Sequence, residues 1–115
     1  MKVRQLHECT AMLTGSTASI AFEIAAQLAE AGVPRIMLNG RNEERGQAAV
    51  AAIRERAPKA DVRFTQANPT RYAEAKALVD ATVDAFGGID IIVTSIPGPS
   101  NITPHPFHEM DVEEM

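Results

Sequence analysis

The sequence predicts an α/β fold in which one parallel sheet carries helices on both of its faces. Short apolar runs alternate with longer amphipathic runs along the 115 residues. The short runs are bounded by glycine, asparagine or proline, as strands are, and the longer runs space their apolar residues as helices do. This alternation is the pattern of right-handed crossover connections that feed one parallel sheet.

The first strand and helix are predicted on either side of Gly15. Residues Cys9–Thr14 form a short apolar run before that glycine, as expected of a buried strand that ends in a turn. In the run that follows, to residue 31, Ile20, Ile24 and Leu28 stand at every fourth position. Side chains at this spacing share one face of a helix, so we expect them to face the core.

The second strand is predicted at Arg35–Leu38, and Asn39 and Gly40 close it. Asn42 can cap the helix that follows, because its side-chain oxygen can accept a hydrogen bond from a first-turn amide. That helix is predicted to end just before Pro58, which cannot continue it.

The third strand is predicted at Asp61–Ala67, where apolar and polar residues alternate. Thr70 can cap a third helix over Arg71–Phe86, and Ile89–Val93 is the most apolar run and predicts a fourth strand. The third helix is expected to turn these residues inward: Ala75, Leu78, Val79, Thr82 and Phe86. A last short helix is predicted after Pro106.

These elements predict a Rossmann-like three-layer arrangement, with a parallel sheet of strand order 3-2-1-4 that is part of a doubly wound fold. We expect residues 1–115 to form one domain, because the length suits one core. The fourth strand would then have an uncovered edge. Such an edge favours pairing with another chain, so we expect a homo-oligomer.

The composition limits the partners that the chain can have. The formal net charge is -4, and Lys and Arg are scattered, which argues against nucleic acid as a partner. No apolar run reaches the roughly 18 residues of a membrane span, and the start lacks the apolar core of a signal peptide. We therefore expect a cytoplasmic protein without a membrane partner. Cys9 is the only cysteine, so no internal disulfide is expected.

The segment Thr14–Ala21 joins the first strand to the first helix and is rich in small residues. A turn at this point aims backbone N–H groups beyond the strand, and the helix dipole adds partial positive charge. Together these features suit a pyrophosphate, and small residues let it approach the backbone. A tight turn before a capped helix would give the same pattern, so the turn alone leaves both interpretations open.

Arg41 follows the second strand, where the adenosine ribose of a dinucleotide lies in this topology. An acidic residue there would bind the ribose hydroxyls, whereas an arginine would pair with a 2′-phosphate. Leu38, Asn39 and Gly40 offer no carboxylate, so the sequence favours NADP over NAD. The alternative is that Arg41 is a solvated residue paired with a neighbouring glutamate.

Four segments of the chain together resemble the short-chain dehydrogenase/reductase family. They are Thr14-Gly15-Ser16-Thr17, Leu28-Ala29-Glu30-Ala31-Gly32, Leu38-Asn39-Gly40-Arg41-Asn42-Glu43, and Phe86-Gly87-Gly88-Ile89-Asp90-Ile91-Ile92-Val93. The resemblance covers the N-terminal, cofactor-binding half of the family. It implies an NAD(P)(H)-binding portion of an oxidoreductase that moves hydride between nicotinamide and a carbonyl or alcohol. The implied cofactor-binding residues are Gly15, Ser16, Thr17, Ser19, Ile20, Arg41 and Asn68.

The sequence departs from the family pattern at several positions. Ser19 and Ala21 stand where the family's turn has its second and third glycines, and Asn68 stands where the family has an aspartate near the adenine. An asparagine oxygen can still accept a hydrogen bond there. The family's Asn-Asn-Ala-Gly after the fourth strand is replaced by the segment Thr94–Pro97.

The catalytic residues of the family, a Ser and a Tyr-x-x-x-Lys pair, are expected beyond residue 115, so no catalytic residue is assigned here. Tyr72 and Lys76 have the right spacing but lie in the third helix region. His105 and His108 have no evident third metal ligand, so no metal site is expected. The alternative function is a non-catalytic Rossmann-like binding or oligomerisation module.

Overall fold

The computed structural model describes residues 5–95, except for the side chain of Ser19. The strands are β1 (Thr10–Leu13), β2 (Arg35–Gly40), β3 (Asp61–Gln66) and β4 (Ile91–Val93), and the helices are α1 (Ser19–Glu30), α2 (Glu43–Arg56) and α3 (Tyr72–Phe86). All strand pairs are parallel and the order is β3-β2-β1-β4. The predicted fold class and strand order are therefore confirmed. The last helix predicted after Pro106 lies outside the described residues.

The core has one cluster on each face of the sheet, because alternate residues of a strand point to opposite faces. On one face, α1 and α2 pack against β1, β2 and β3 through residues that include Leu13, Leu38 and Ile53. On the other face, Leu78 of α3 packs against Met12 and Met37. These clusters build the three layers that the sequence predicts.

Helix α1 buries a different face from the predicted one. Ile20 is 77% exposed and Ile24 is 36% exposed, whereas Ala21, Ala25 and Ala29 are buried. The buried line has the same spacing of four but starts one residue later, which is about 100° around the helix. Alanines allow the helix to lie close to the sheet, so backbone proximity, and not side-chain size, sets the buried face.

Two predicted element boundaries are also corrected. Asn39 and Gly40 belong to β2, where they pair with Thr65 and Gln66 of β3. Thr70 does not cap α3: the N-cap residue is Arg71, and it makes no side-chain cap hydrogen bond. The predicted cap of α2 is correct, since the Asn42 side chain accepts from the amide of Arg45 at 2.9 Å.

The far side of the sheet ends at β4, which pairs with β1 and has no other neighbour in the described part of the chain. Ile92 of this strand is 58% exposed.

On α3, Val79 and Val83 are also exposed, so the prediction that Val79 faces inward is wrong, although Leu78 and Thr82 are buried as expected. Among residues 5–95, no helix combines the length and apolar character needed to cross a bilayer.

Candidate functional site

A pocket of about 280 Å³ opens at the carboxyl ends of β1 and β2. This is the edge of a parallel sheet at which doubly wound folds bind their ligands. The pocket is lined by the turn after β1, the end of β2, the start of α2 and the segment after β3: Gly15, Thr17, Asn39, Gly40, Arg41, Asn42, Arg45, Asn68, Pro69 and Thr70, together with Ser95. Four of the predicted site residues, Gly15, Thr17, Arg41 and Asn68, are therefore brought together.

Gly15 forms the bend between β1 and α1 in a conformation that only glycine adopts easily. Its φ is +57°, in the left-handed region. A Cβ at this position would also overlap with the carbonyl oxygen of Ser95. The amide of Ser95 donates to the Thr14 hydroxyl at 3.0 Å, and the amide of Thr14 donates to the carbonyl of Val93 at 2.9 Å. The chain after β4 thus closes against one side of the bend.

Asn39 holds the other side of the bend and is fully buried. Its Oδ1 accepts from the amide of Gly15 at 3.2 Å. Its Nδ2 donates to the carbonyls of Thr65 and Ala67, both at 3.1 Å. One side chain therefore connects the bend to the carboxyl end of β3. This role of Asn39 was not predicted from the sequence, although a polar residue in an apolar strand is a usable signal.

Ser16 is also fully buried, and its polar groups bond within the protein. The hydroxyl donates to the carbonyl of Leu13 at 2.7 Å and accepts from the amide of Asn39 at 2.9 Å. The Ser16 amide donates to the Asn39 carbonyl at 2.8 Å. Ser16 therefore fixes the bend against β2 and presents no side-chain surface to the pocket.

The predicted site residues Ser19 and Ile20 lie at the N-terminus of α1, and Ile20 is not among the residues that line this pocket. The N-cap residue is Ala18, which makes no side-chain cap hydrogen bond. The first N–H groups of a helix have no intrahelical acceptor, and the helix dipole adds partial positive charge to them. Ser19 begins the helix, and Ile20 is exposed beside it. This helix end can receive an anionic group.

Two arginines at the pocket, Arg41 and Arg45, have no side-chain partner among residues 5–95. Arg41 bonds to Gln66 through its backbone carbonyl, which accepts from the Gln66 side chain. Arg45 bonds to Asn42 through its backbone amide, which donates to the Asn42 side chain. The guanidinium groups of the other arginines of this part of the chain are engaged, by hydrogen bonds for Arg35, Arg54, Arg56 and Arg63 and by an ion pair with Glu74 for Arg71.

The predicted alternative for Arg41, an ion pair with a neighbouring glutamate, is not formed. The carboxylate of Glu43 accepts instead from Gln47 on the next turn of α2. Arg45 was not predicted as a site residue, although its place in the first turn of α2, close in sequence to Arg41, is a usable signal. The pocket therefore carries two guanidinium groups without carboxylates of their own.

Asn68 lines the pocket, and its side-chain Nδ2 has no partner among residues 5–95, whereas its Oδ1 is occupied. Its Oδ1 accepts from the amide of Thr70 at 3.1 Å and from the Thr70 hydroxyl at 2.6 Å. A carbonyl oxygen has two lone pairs, so both are used. The expectation that this oxygen accepts a bond from a ligand is therefore revised, and Nδ2 is the group that can donate to one.

Tyr72 and Lys76, which have the spacing of the family's Tyr-Lys pair, lie in the first turns of α3. Tyr72 is 83% exposed at the start of α3. The Nζ of Lys76 lies 2.9 Å from Asp80, and that hydrogen bond raises the pKa of Lys76. Residues 5–95 hold no cluster of His, Cys, Asp and Glu that could bind a metal ion. His105 and His108 lie outside the described residues.

Comparison with known proteins identifies the family. A family model described as short chain dehydrogenase matches residues 9–115. The chain belongs to the short chain dehydrogenase family. Its sheet order and glycine bend are thereby explained as features of a dinucleotide-binding fold, and the predicted resemblance is confirmed.

Individual members of the short chain dehydrogenase family resemble the chain over most of its length. It is 30% identical to the granaticin polyketide synthase putative ketoacyl reductase 2 of Streptomyces violaceoruber, over 83% of this chain and 35% of that protein. L-sorbose reductase from Gluconobacter frateurii, solved with NADPH and L-sorbose, has a TM-score of 0.76 and 28% identity over 91% of this chain and 38% of that one. NAD⁺-bound xylitol dehydrogenase has a TM-score of 0.70 and 28% identity over 77% and 33%.

The chain spans about a third of the length of the curated relatives it matches, with shares of 35%, 38% and 33%. The match to the short chain dehydrogenase family therefore concerns part of the length of these relatives. The solved relatives carry NADPH in one case and NAD⁺ in another.

Proposed function

We propose that this chain binds NADP(H), in preference to NAD(H), at the carboxyl ends of β1 and β2. The residues proposed to form the site are Gly15, Ser16, Thr17, Ser19, Ile20, Arg41 and Asn68, with Arg45 as an addition. The observation that supports the phosphorylated cofactor is the pair of guanidinium groups without carboxylate partners, Arg41 and Arg45, in one pocket.

The adenosine end of the cofactor is proposed to lie between α2 and the segment after β3. Guanidinium groups bind phosphate through charge-assisted, forked hydrogen bonds. Gly40 stands at the end of β2, where a carboxylate would bind the ribose hydroxyls of NAD(H) and repel a 2′-phosphate. The Nδ2 of Asn68 can donate to a ring nitrogen of the adenine.

The pyrophosphate is proposed to lie against the N-terminus of α1. Gly15 allows the backbone to approach it closely, and the first-turn amides of Ser19 and Ile20 can donate to its oxygens. Ser16 acts indirectly, through the hydrogen bonds that fix the bend to β2. Thr17 lines the pocket, and we propose that it lies between the positions of the pyrophosphate and the 2′-phosphate.

In the complete enzyme, we propose hydride transfer between the nicotinamide and the carbonyl or alcohol carbon of a small-molecule substrate. A bound NADP(H) supplies the hydride donor or acceptor for that reaction. The described residues contribute binding and orientation of the cofactor. The acid, base and substrate contacts are proposed to come from other parts of the complete protein.

The experiment is a fluorescence titration of the chain with NADPH and, separately, with NADH. We expect tighter binding of NADPH, and we expect Arg41→Ala and Arg45→Ala each to weaken NADPH by about tenfold or more, with a smaller effect on NADH. Lys59→Ala is the matched control, because it removes one positive charge from an exposed position outside this pocket. Equal affinities for the two cofactors, or no binding, would contradict the proposal.

Two further proposals concern the whole molecule. We propose a cytoplasmic location, which fractionation of expressing cells would test. We also propose self-association through the edge of β4 that has no partner strand among residues 5–95, where Ile92 is exposed. Light scattering should then give a mass above 12.4 kDa, and Ile92→Lys should lower it. A monomeric mass at all concentrations would contradict the second proposal.

A further inference from the structure

Thr17 occupies the space into which a side chain at position 40 would extend. Gly40 is the last residue of β2 and is buried at the pocket. A Cβ built on Gly40 would lie 2.8 Å from Cγ2 of Thr17 and 3.4 Å from its Oγ1. The next atom, in the ring of Phe64, would be at an ordinary contact distance of 3.6 Å. The methyl group of Thr17 is therefore the main obstacle.

We propose that Thr17 is a specificity-determining residue: its methyl group excludes an acidic side chain from position 40 and so disfavours an NAD-type site. This inference rests on the proposed function. The inference concerns the steric relationship between positions 17 and 40, whereas the proposed role of Arg41 and Arg45 is to attract the 2′-phosphate.

The exclusion depends on the branched side chain of Thr17 and on the position of Gly40 in the strand. Thr17 is β-branched, so every staggered rotamer fills two of the three positions around Cβ, and here both substituents face Gly40. The residue before it, Ser16, is bonded to Leu13 and Asn39. Gly40 itself is paired with Gln66 in the sheet. A new side chain at position 40 would therefore have to displace Thr17 or the strand.

The consequence is that the two positions must change together. An aspartate at position 40 would be placed to accept from ribose hydroxyls and to repel a 2′-phosphate. With Thr17 present, it would instead strain the bend that holds the pyrophosphate. Replacing Thr17 by a smaller residue would open the space and let the carboxylate act on the cofactor.

The test introduces Gly40→Asp into two backgrounds of the full chain, Thr17→Ala and Thr17→Val. Valine keeps the branched shape and alanine removes it, so they form a matched pair. The measurements are the ratio of the dissociation constants for NADPH and NADH, by fluorescence titration, and the midpoint of thermal unfolding. Gly40→Asn in the alanine background is the control for charge, because it has nearly the same shape as aspartate.

In the alanine background, we expect Gly40→Asp to move the ratio of dissociation constants about tenfold or more toward NADH. The carboxylate would repel the 2′-phosphate of NADPH and accept hydrogen bonds from the ribose hydroxyls of NADH. Gly40→Asn should move it less. In the valine background, Gly40→Asp should lower the thermal midpoint and weaken both cofactors. The same shift in ratio in both backgrounds would overturn the role of Thr17.

Gly40→Ala supplies a second measurement that needs no bound cofactor. It adds only the Cβ, and we expect it to lower the thermal midpoint in the native and valine backgrounds but much less in the alanine background. Equal losses in all backgrounds would overturn the inference. If the native chain bound neither cofactor, the proposed function would fall and the specificity role with it, whereas binding without coupling would overturn the role of Thr17 alone.

Discussion

The side-chain oxygen of Asn39 accepts a hydrogen bond from the amide of Gly15, with an N···O distance of 3.2 Å. This bond crosses from β2 to the bend after β1, and the Nδ2 of the same side chain reaches two carbonyls at the end of β3. One buried carboxamide thus sets the relative positions of the three chain segments that surround the candidate site. The geometry of the pocket depends on it.

Asn39→Ala should lower the free energy of unfolding by about 2–4 kcal/mol, because buried groups lose their partners. It should also weaken cofactor binding. Urea denaturation and NADPH titration measure the two effects. Asn42→Ala is the control, since it removes an exposed N-cap bond and should cost about 1 kcal/mol. A smaller loss for Asn39→Ala than for Asn42→Ala would contradict the assigned role.

Gly15→Ala should destabilise the bend, because the alanine would need a positive φ and its Cβ would overlap with Ser95. The left-handed conformation alone costs roughly 1–2 kcal/mol. We therefore expect a loss above that range in urea denaturation, together with loss of NADPH binding. Gly88→Ala is the matched control, because no atom lies within 4 Å of the Cβ it would add. Equal effects of the two substitutions would rule out this explanation.

Gly46→Ala should reduce stability although alanine is the better helix former. Gly46 is buried in α2, and an added Cβ would overlap with the ring of Phe64 on β3. Helix propensity would favour alanine by about 1 kcal/mol, whereas overpacking costs about 1–3 kcal/mol. Thermal unfolding should show a net loss. A smaller residue should relieve the overlap, so Gly46→Ala should cost less in a Phe64→Leu background. A gain in stability with Phe64 present would contradict the packing.

Ala25→Leu should destabilise the protein more than Ile24→Ala does, although the first substitution adds apolar volume and the second removes it. Ala25 is fully buried where α1 meets the sheet, whereas Ile24 is 36% exposed. Overpacking at Ala25 should cost about 1–3 kcal/mol or more, and Ile24→Ala should cost less than about 1 kcal/mol. Urea denaturation compares them. A larger loss for Ile24→Ala would mean that the isoleucine face is the buried one.

The sequence was sufficient to predict the strand order, the helices and their approximate ends. Alternating runs and helix-ending residues carry that information locally: Gly87, for example, ends α3 with a φ of +87°. The buried face of α1 was not predictable in the same way. Its isoleucines and its alanines have the same periodicity, and the distance between helix and sheet decides which line is buried.

The site was predictable in part. The small residues after β1 and the arginine after β2 follow from topology and charge, which the sequence displays. The roles of Asn39 and Thr70 depend on hydrogen bonds: Asn39 bonds across strands, and Thr70 bonds to Asn68 in preference to capping α3. A single side chain offers several such bonds, and only the folded chain selects among them.

The most direct test of the central claim is a phosphorus-31 NMR titration of NADP⁺ with the protein, followed through the resonance of the 2′-phosphate. Binding by Arg41 and Arg45 should shift that resonance and lower the second pKa of the phosphate below its usual value near 6. Arg41→Ala combined with Arg45→Ala should abolish both changes. A 2′-phosphate resonance that keeps its free position and pKa while the pyrophosphate resonances shift would contradict the account.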